Sequence, residues 1–320
     1  MEEPGALIRG VVFFFAGGDA GIFGAIGIAT IALLGLRSGG LPAVRRSFIV
    51  IAIVVSVLLI VCGSPIVPFW FQIATLLWLI AVSRYVAMRK VDVGTESERK
   101  KSNVQHLLSL ASFAWLFTIL LFELPIHFRA LPADHVSQVL VIGDSVTAGL
   151  NDGEDTWPIQ LSRAVAISVV DASQPGATLR SARKQNELLG GRSGHIVLEI
   201  GGNDMLEGLP VARFESELDS LLSEVTQPDR TIMMFELPLP PFCTAYGAAQ
   251  RRQAARHGVY LIPKRRFAQV LTTSGATVDG IHLSIRGQTS MMSLVSSFVC
   301  ARSQSGSGNY QRLERTSNHQ

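Results

Sequence analysis

The sequence has few charged residues for its length. Of 320 residues, 17% are Asp, Glu, Lys or Arg and 48% are hydrophobic, and the mean hydropathy is +0.33. This composition is too apolar for an ordinary soluble protein, and the excess lies in the first half of the chain. The net charge of +3 indicates no particular partner. No basic patch interleaved with aromatic residues is present, so we expect no nucleic-acid binding.

Metal-binding patterns are also lacking. The chain has three cysteines and no Cys-x-x-Cys pair, and its seven histidines are scattered without the spacing of metal ligands. We therefore expect neither a metal site nor a cofactor. Cys62 lies in an apolar stretch and is interpreted as a small buried hydrophobic residue.

Four apolar segments occupy the first half of the chain, at about residues 11–36, 48–62, 67–82 and 107–121. A membrane-spanning helix needs about 20 mostly apolar residues, and the last three segments are near the short end of that range. The alternative is a set of buried core helices, but four successive segments without a polar face would leave nothing to contact water. We therefore predict a transmembrane region of about four helices over residues 1–122.

The first segment does not resemble a cleaved signal peptide, because it follows Glu2 and Glu3 instead of a basic region. Asp19 interrupts this segment, and acidic residues within a membrane are often functional. The interpretation that we favour is simpler. Asp19 lies near the outer interface, or in a polar break before a shorter helix that begins at Gly21.

The basic residues of the short loops predict the orientation of the membrane region. Residues 37–46 carry three arginines and residues 84–101 carry six basic residues, whereas residues 63–66 carry no charge. This pattern predicts an integral membrane protein with its N-terminus and everything after residue 121 on the extracytoplasmic (periplasmic or outer) side. There, a disulfide between Cys243 and Cys300 and a pair of free buried thiols are both compatible with the sequence.

The second half is organised around residues 139–149. The apolar run Val139–Ile142 predicts a buried strand, and Gly143-Asp144-Ser145 predicts a tight turn at its carboxyl end. In open α/β sheets, ligands bind at that edge. Ser145 is therefore a candidate nucleophile.

A serine hydroxyl needs a nearby base and a group that orients the base. Asp279 and His282, three residues apart, supply both. Each pattern alone is more often an ordinary turn or surface site. Their joint occurrence favours a catalytic triad in which Ser145 attacks, His282 takes the proton and Asp279 holds the imidazole.

Strands and helices alternate through the second half. Strands are predicted near residues 139–142, 167–171, 196–200, 232–235 and 259–262, and helices near 157–165, 178–189, 211–225, 248–257 and 287–300. This alternation predicts an α/β domain with a parallel sheet that is covered on both faces. We place the domain at residues 137–302, after a linker at 123–136 and before a disordered tail at 303–320.

Four short blocks in this half resemble those of GDSL-type esterases and lipases, also called SGNH hydrolases. The resemblance covers about residues 137–300. It implies a flavodoxin-like, three-layer α/β/α fold with a five-stranded parallel sheet. The blocks are Gly143-Asp144-Ser145, the glycine Gly176, Gly201-Gly202-Asn203-Asp204, and the pair Asp279 and His282.

The resemblance also implies an oxyanion hole formed by the backbone N–H groups of Ser145 and Gly176 and the side-chain amide of Asn203. These residue types fit the task, because glycine lets a backbone amide approach a substrate and Asn offers two N–H donors. Asp144 and Asp204 are interpreted as structural residues that turn and cap their loops.

Residues 201–206 and Trp157-Pro158 are similar to the lysophospholipase, thioesterase and arylesterase branch of that family. His282-Leu283-Ser284 departs from this branch, which more often has Pro and Asn after the histidine.

Three functions are compatible with these features. The first is a membrane-anchored serine esterase or lipase-like hydrolase that cleaves carboxylic ester or thioester bonds, with lipid as a natural substrate beside the bilayer. The second is an O-acetyl esterase or acyltransferase that acts on envelope polysaccharide. The third is a non-catalytic membrane binding protein, against which the intact catalytic residues argue.

Overall fold

The structure is a computed structural model, and it describes residues 6–24, 26–27, 138–165 and 167–299. It also describes single positions or short groups at 51, 54–56, 58–59, 77, 81, 117–118 and 121. Most of the predicted membrane segments, the linker and the tail lie outside the described residues, so those predictions are not tested.

The chain divides into two compact units. One comprises residues 1–128, 237–249 and 263–269, and the other comprises 129–236, 250–262 and 270–320.

The second unit is built on a five-stranded parallel sheet in the order β2-β1-β3-β4-β5. Strands β1 and β3 are buried along nearly their whole length, as their continuous apolar sequences require. All five predicted strands are confirmed, each within two residues of its predicted ends. Their bounds are β1 Gln138–Gly143, β2 Ser168–Asp171, β3 Gly194–Glu199, β4 Arg230–Phe235 and β5 Tyr260–Ile262.

Helices connect these strands. The described helices of the second half are α2 Ser145–Ala148, α3 Trp157–Ala164, α4 Leu179–Leu189, α5 Gly202–Leu206, α6 Val211–Val225, α7 Thr244–Arg256, α8 Lys264–Thr272 and α9 Ile285–Val299. The chain crosses the sheet in one direction from β1 to β2 and in the opposite direction from β2 to β5. Right-handed crossovers therefore place α3 on one face of the sheet and α4 and α6 on the other. Helix α3 packs against α9, and α4 packs against α6, which gives the expected three layers.

Three helices were not predicted from the sequence. Helices α2 and α5 have four and five residues, too few to show an amphipathic period. Helix α8 begins with Lys264-Arg265-Arg266, and no element was predicted there. Helix α7 begins at Thr244, four residues before the predicted start.

The first unit contains the described part of the N-terminal segment. Helix α1, Ala6–Ala16, ends at Gly17 and Gly18, and residues 19–24 are helical again. This is the polar break expected at Asp19, although the second helix begins there and not at Gly21. The Asp19 carboxylate accepts a hydrogen bond from Arg265 Nε at 2.9 Å. Within the described residues, no helix combines the length and the apolar character needed to cross a bilayer.

The disulfide considered between Cys243 and Cys300 stays a prediction, because only one of the two residues is described. Cys243 is half-buried, while Cys300 lies outside the described residues. Cys243 lies in a turn just before α7, where its backbone N–H donates to the carbonyl of Pro240.

Gly287 fixes how α9 meets the hairpin formed by residues 276–284. A Cβ atom at Gly287 would lie 1.9 Å from the carbonyl oxygen of Ala276 and 3.0 Å from Leu283 Cδ2. The hairpin is closed by a bond from Ser284 N to Ala276 O and by a bridge between Thr277 and Leu283. A side chain at position 287 would therefore displace the hairpin.

We expect Gly287→Ala to lower the free energy of unfolding by about 1–3 kcal/mol, the usual cost of overpacking. The measurement is urea unfolding of the full-length protein. Thr289→Ala, an exposed position on the same helix, is the matched control and should change stability by less than about 0.5 kcal/mol. Equal stability of the two variants would contradict the close contact at Gly287.

Candidate active site

Ser145 lies at the carboxyl end of β1, as the first residue of α2, and is 8% exposed. Asp144 caps this short helix by accepting a hydrogen bond from Val146 N at 2.9 Å. The turn requires glycine at position 143, because a Cβ there would lie 2.7 Å from Thr147 Cβ. The side chain of Gln185 binds both backbone groups of Gly143, each at 3.0 Å. The sequence thus presents the serine hydroxyl on a firmly held turn.

His282 and Asp279 lie on the hairpin that packs against α9. His282 Nε2 is 3.0 Å from Ser145 Oγ, and His282 Nδ1 is 2.6 Å from Asp279 Oδ2. The other oxygen of Asp279 accepts hydrogen bonds from the backbone N–H groups of Ile281 and His282, at 3.0 and 2.9 Å. The structure therefore brings together the three residues that the sequence analysis selected, although Ser145 is 137 residues from His282.

The hydrogen bonds to Asp279 set the state of the histidine. The bond from the His282 side chain, followed by those from the backbone, lowers the pKa of Asp279 to about 2. An ionised Asp279 accepts a hydrogen bond from Nδ1–H, so a neutral imidazole has its lone pair on Nε2, facing the Ser145 hydroxyl. This is the tautomer that a general base needs.

Gly176 lies in the turn Gln174-Pro175-Gly176-Ala177, with φ of +70°. Ala177 N donates to Gln174 O at 3.2 Å, and proline followed by glycine with positive φ is typical of a type II turn. Gln174 N also donates to Gly143 O at 3.1 Å, which joins this loop to the nucleophile turn. Among the described residues, neither the backbone N–H of Ser145 nor that of Gly176 has a hydrogen-bond acceptor.

Asn203 and Asp204 hold the same loop from the end of β3. Asn203 Nδ2 donates to Ala177 O at 2.8 Å, and Asp204 Oδ2 accepts from Leu179 N at 2.9 Å. Asp204 thereby helps to cap α4, as expected of a structural residue, and burial raises its pKa. Because an amide nitrogen has two hydrogens, Asn203 retains one donor after binding Ala177.

The sequence analysis missed a set of buried polar side chains beneath the nucleophile turn. Each is less than 3% exposed: Thr147, Trp157, Gln185, Glu199 and Gln288. The one available signal was Glu199, an acidic residue at the end of an otherwise apolar strand. Within the part of the chain that the structure describes, no group of three or more His, Cys, Asp or Glu side chains could hold a metal ion.

Chemically, the arrangement is that of an acyl-transfer site. A hydroxyl, a correctly oriented imidazole and a carboxylate form one hydrogen-bonded chain, and N–H donors lie on loops after the neighbouring strands β2, β1 and β3. Such an arrangement can form and break an acyl bond at the serine.

Comparisons with known proteins find relatives for the second half of the chain. The family model described as GDSL-like Lipase/Acylhydrolase matches residues 141–289. The "Esterase TesA" of Pseudomonas aeruginosa is 28% identical over 171 residues, which cover 48% of this chain and 83% of that protein. The "Thioesterase 1/protease 1/lysophospholipase L1" of Escherichia coli strain K12 is 29% identical over 180 residues, which cover 53% and 85%.

Among solved structures, one described as "Crystal Structure of TesA" is 26% identical, covers 51% of this chain and 97% of that chain, and has a TM-score of 0.45. The family model and the two relatives confirm the resemblance that the four sequence blocks carry. The second half of the chain is therefore a hydrolase domain of the GDSL-like lipase/acylhydrolase, or SGNH, type.

Proposed function

We propose that this protein is a serine esterase that cleaves carboxylic ester or thioester bonds with Ser145, His282 and Asp279. One observation carries the proposal: the continuous hydrogen-bonded chain from Ser145 Oγ to His282 Nε2 at 3.0 Å and from His282 Nδ1 to Asp279 at 2.6 Å. Serine, histidine and an acid in this order make an activated nucleophile.

The reaction proceeds in two halves. Ser145 Oγ attacks the carbonyl carbon while its proton passes to His282 Nε2. The resulting oxyanion is stabilised by the backbone N–H groups of Ser145 and Gly176 and by Asn203 Nδ2. His282 then donates its proton to the departing alkoxide or thiolate, which leaves an acyl-serine. Water, deprotonated by His282, attacks the acyl-serine and releases the acid, and the proton returns to Ser145.

Exposed apolar side chains on the elements that carry the site favour an apolar acyl group. Four large hydrophobic residues on the loops and helices that carry the site are exposed: Leu150 48%, Leu206 59%, Ile281 45% and Ile285 80%. An aliphatic acyl chain that covered these side chains would remove apolar surface from water, which favours binding. The relatives named as a thioesterase and lysophospholipase point to the same class of substrate.

We also propose that the four apolar segments of residues 1–122 keep the hydrolase domain at the extracytoplasmic face of a membrane. The support is the length of the segments and the positions of the basic loops in the sequence. In that position the domain would meet lipid esters directly.

A fluorophosphonate probe tests the nucleophile. The full-length protein in detergent should be labelled at Ser145 and should release p-nitrophenol from short acyl esters. Ser145→Ala should abolish both, while Asn203→Ala should retain labelling and lower kcat by about 10²–10³-fold, the usual cost of one oxyanion donor. Leu188→Ser, at the end of α4, is a control that should keep full activity. An unlabelled wild-type protein would refute the esterase and favour a binding protein.

Substituting Ile285 tests the class of substrate. Ile285→Ser should lower kcat/KM about tenfold for esters of long acyl chains, since covering this side chain contributes about 1.4 kcal/mol. The same substitution should leave kcat/KM for acetyl esters unchanged. The same panel should include acetylated polysaccharide, and a preference for that substrate with no effect of Ile285→Ser would contradict the apolar acyl group.

Reporter fusions test the membrane orientation. A reporter enzyme that needs disulfides should be active when fused after Ser303 and inactive when fused after Arg46, in the predicted cytoplasmic loop. A reporter that fluoresces only in the cytoplasm should give the opposite result. Fluorescence of the fusion after Ser303 would overturn the proposed orientation.

A further inference from the structure

A pair of carboxyl groups is buried directly beneath the nucleophile turn. Glu199, the last residue of β3, is 2% exposed, and Asp144, which precedes Ser145, is 4% exposed. The two carboxyl groups lie close enough to share a hydrogen bond when one of them is protonated, and Asp144 N donates to Glu199 O at 3.2 Å. Two buried carboxylates in contact repel each other strongly, so one of them must hold a proton.

The direction of the surrounding hydrogen bonds is fixed by Trp157. An indole N–H only donates, and Trp157 Nε1 donates to Thr147 Oγ1 at 3.2 Å. The hydroxyl hydrogen of Thr147 is therefore directed to Glu199 Oε2, at 3.0 Å. At the other end, Asp144 Oδ1 accepts from Val146 N at 2.9 Å.

The shared proton belongs to Glu199. Complete burial, followed by the charge of Asp144, raises the pKa of Glu199 well above its usual range. Burial also raises the pKa of Asp144, but the Val146 N–H group, the hydrogen bond from Glu199 and the nearby His282 all favour its ionised form, while Asp204 opposes it. A neutral Glu199 completes the chain by donating to the Asp144 carboxylate.

We propose that Glu199 is a positioning residue for the reaction assigned above. It acts as a neutral carboxylic acid that accepts from Thr147 with one oxygen and donates to Asp144 with the other. In this way it fixes the turn that presents the hydroxyl and the backbone N–H of Ser145. Glu199 does not touch the substrate, and the inference rests on the proposed esterase function.

Two further supports of the turn, Gln185 and Gln288, do not titrate. Gln185 binds the N–H and C=O of Gly143, and Gln288 Oε1 accepts from Trp157 N at 2.8 Å. Glu199 is thus the one support in this set that depends on a proton. A glutamine at position 199 has the same shape, with one oxygen to accept from Thr147 and one N–H₂ to donate to Asp144. An apolar residue would leave both partners unsatisfied in the interior.

The test compares Glu199→Gln with Glu199→Met in the full-length protein, using kcat and KM for a short acyl ester. The Gln variant should keep kcat within about threefold, because each hydrogen bond is replaced by another. The Met variant should lower kcat by about 10²-fold with little change in KM, as expected of a displaced nucleophile. Glu187→Gln, an exposed carboxylate on α4, is the matched control and should change neither value.

The pH dependence of stability provides a second readout. Since the folded-state pKa of Glu199 is raised, its contribution to stability is complete below the unfolded pKa of about 4.3. That contribution is lost as the pH rises toward the folded value. Glutamine does not titrate, so the urea midpoint of Glu199→Gln should rise relative to wild type between pH 5 and pH 8. The Glu187→Gln midpoint should show no such trend.

The outcomes are distinguishable. If Glu199→Gln loses as much kcat as Glu199→Met, or if its relative stability does not depend on pH, Glu199 is not a neutral positioning acid. If the Met variant does not fold, Thr147→Val breaks the same chain and should lower kcat without changing KM. A wild-type protein that fails to react with the probe would refute the esterase, whereas the pH-dependent stability would still report the proton on Glu199.

Discussion

A parallel sheet that is buried on both faces ends in backbone groups that no neighbouring strand can pair with, and the candidate site depends on how they are satisfied. At the end of β1, the amide of Gln185 binds both the N–H and the C=O of Gly143. Buried backbone groups without partners cost about as much as a lost hydrogen bond. The side chain of Gln185 removes this cost and also fixes the position of Ser145. At this point in the chain, the same hydrogen bonds therefore stabilise the core and fix the geometry of the site.

In the loops after β2 and β3, side chains also bind the backbone groups that no strand can pair with. Adjacent side chains, Asn203 and Asp204, bind the loop after β2 at Ala177 and Leu179, on either side of the Thr178 cap of α4. Two of the donors assigned to the oxyanion, Gly176 and Asn203, are thus tied together at the start of α4. Because preorganised donors need no rearrangement during the reaction, such rigidity favours catalysis.

Much of this could be predicted from the sequence because the decisive patterns are local. The apolar runs identified all five strands. Ser145, Asp279 and His282 were selected by residue type and position, whereas Gly176 and Asn203 were assigned through the resemblance to SGNH hydrolases. The buried supports could not be predicted, since their partners are distant in the chain: Gln288 binds Trp157, 131 residues away. Helices α2 and α5 were too short to show a period, and most of the apolar first half lies outside the described residues.

Asp279 and His282 lie on one hairpin and are three residues apart, whereas Ser145 begins the short helix that follows β1. Asp279 also binds the backbone of His282, so carboxylate and imidazole move as one body. The contact of Gly287 with Ala276 holds this hairpin against α9 and so fixes the positions of both side chains together. A displacement of the hairpin would break the bond between His282 Nε2 and Ser145 but keep the bond between Nδ1 and Asp279, so a spectroscopic probe of Nδ1 alone would record little difference between the two positions.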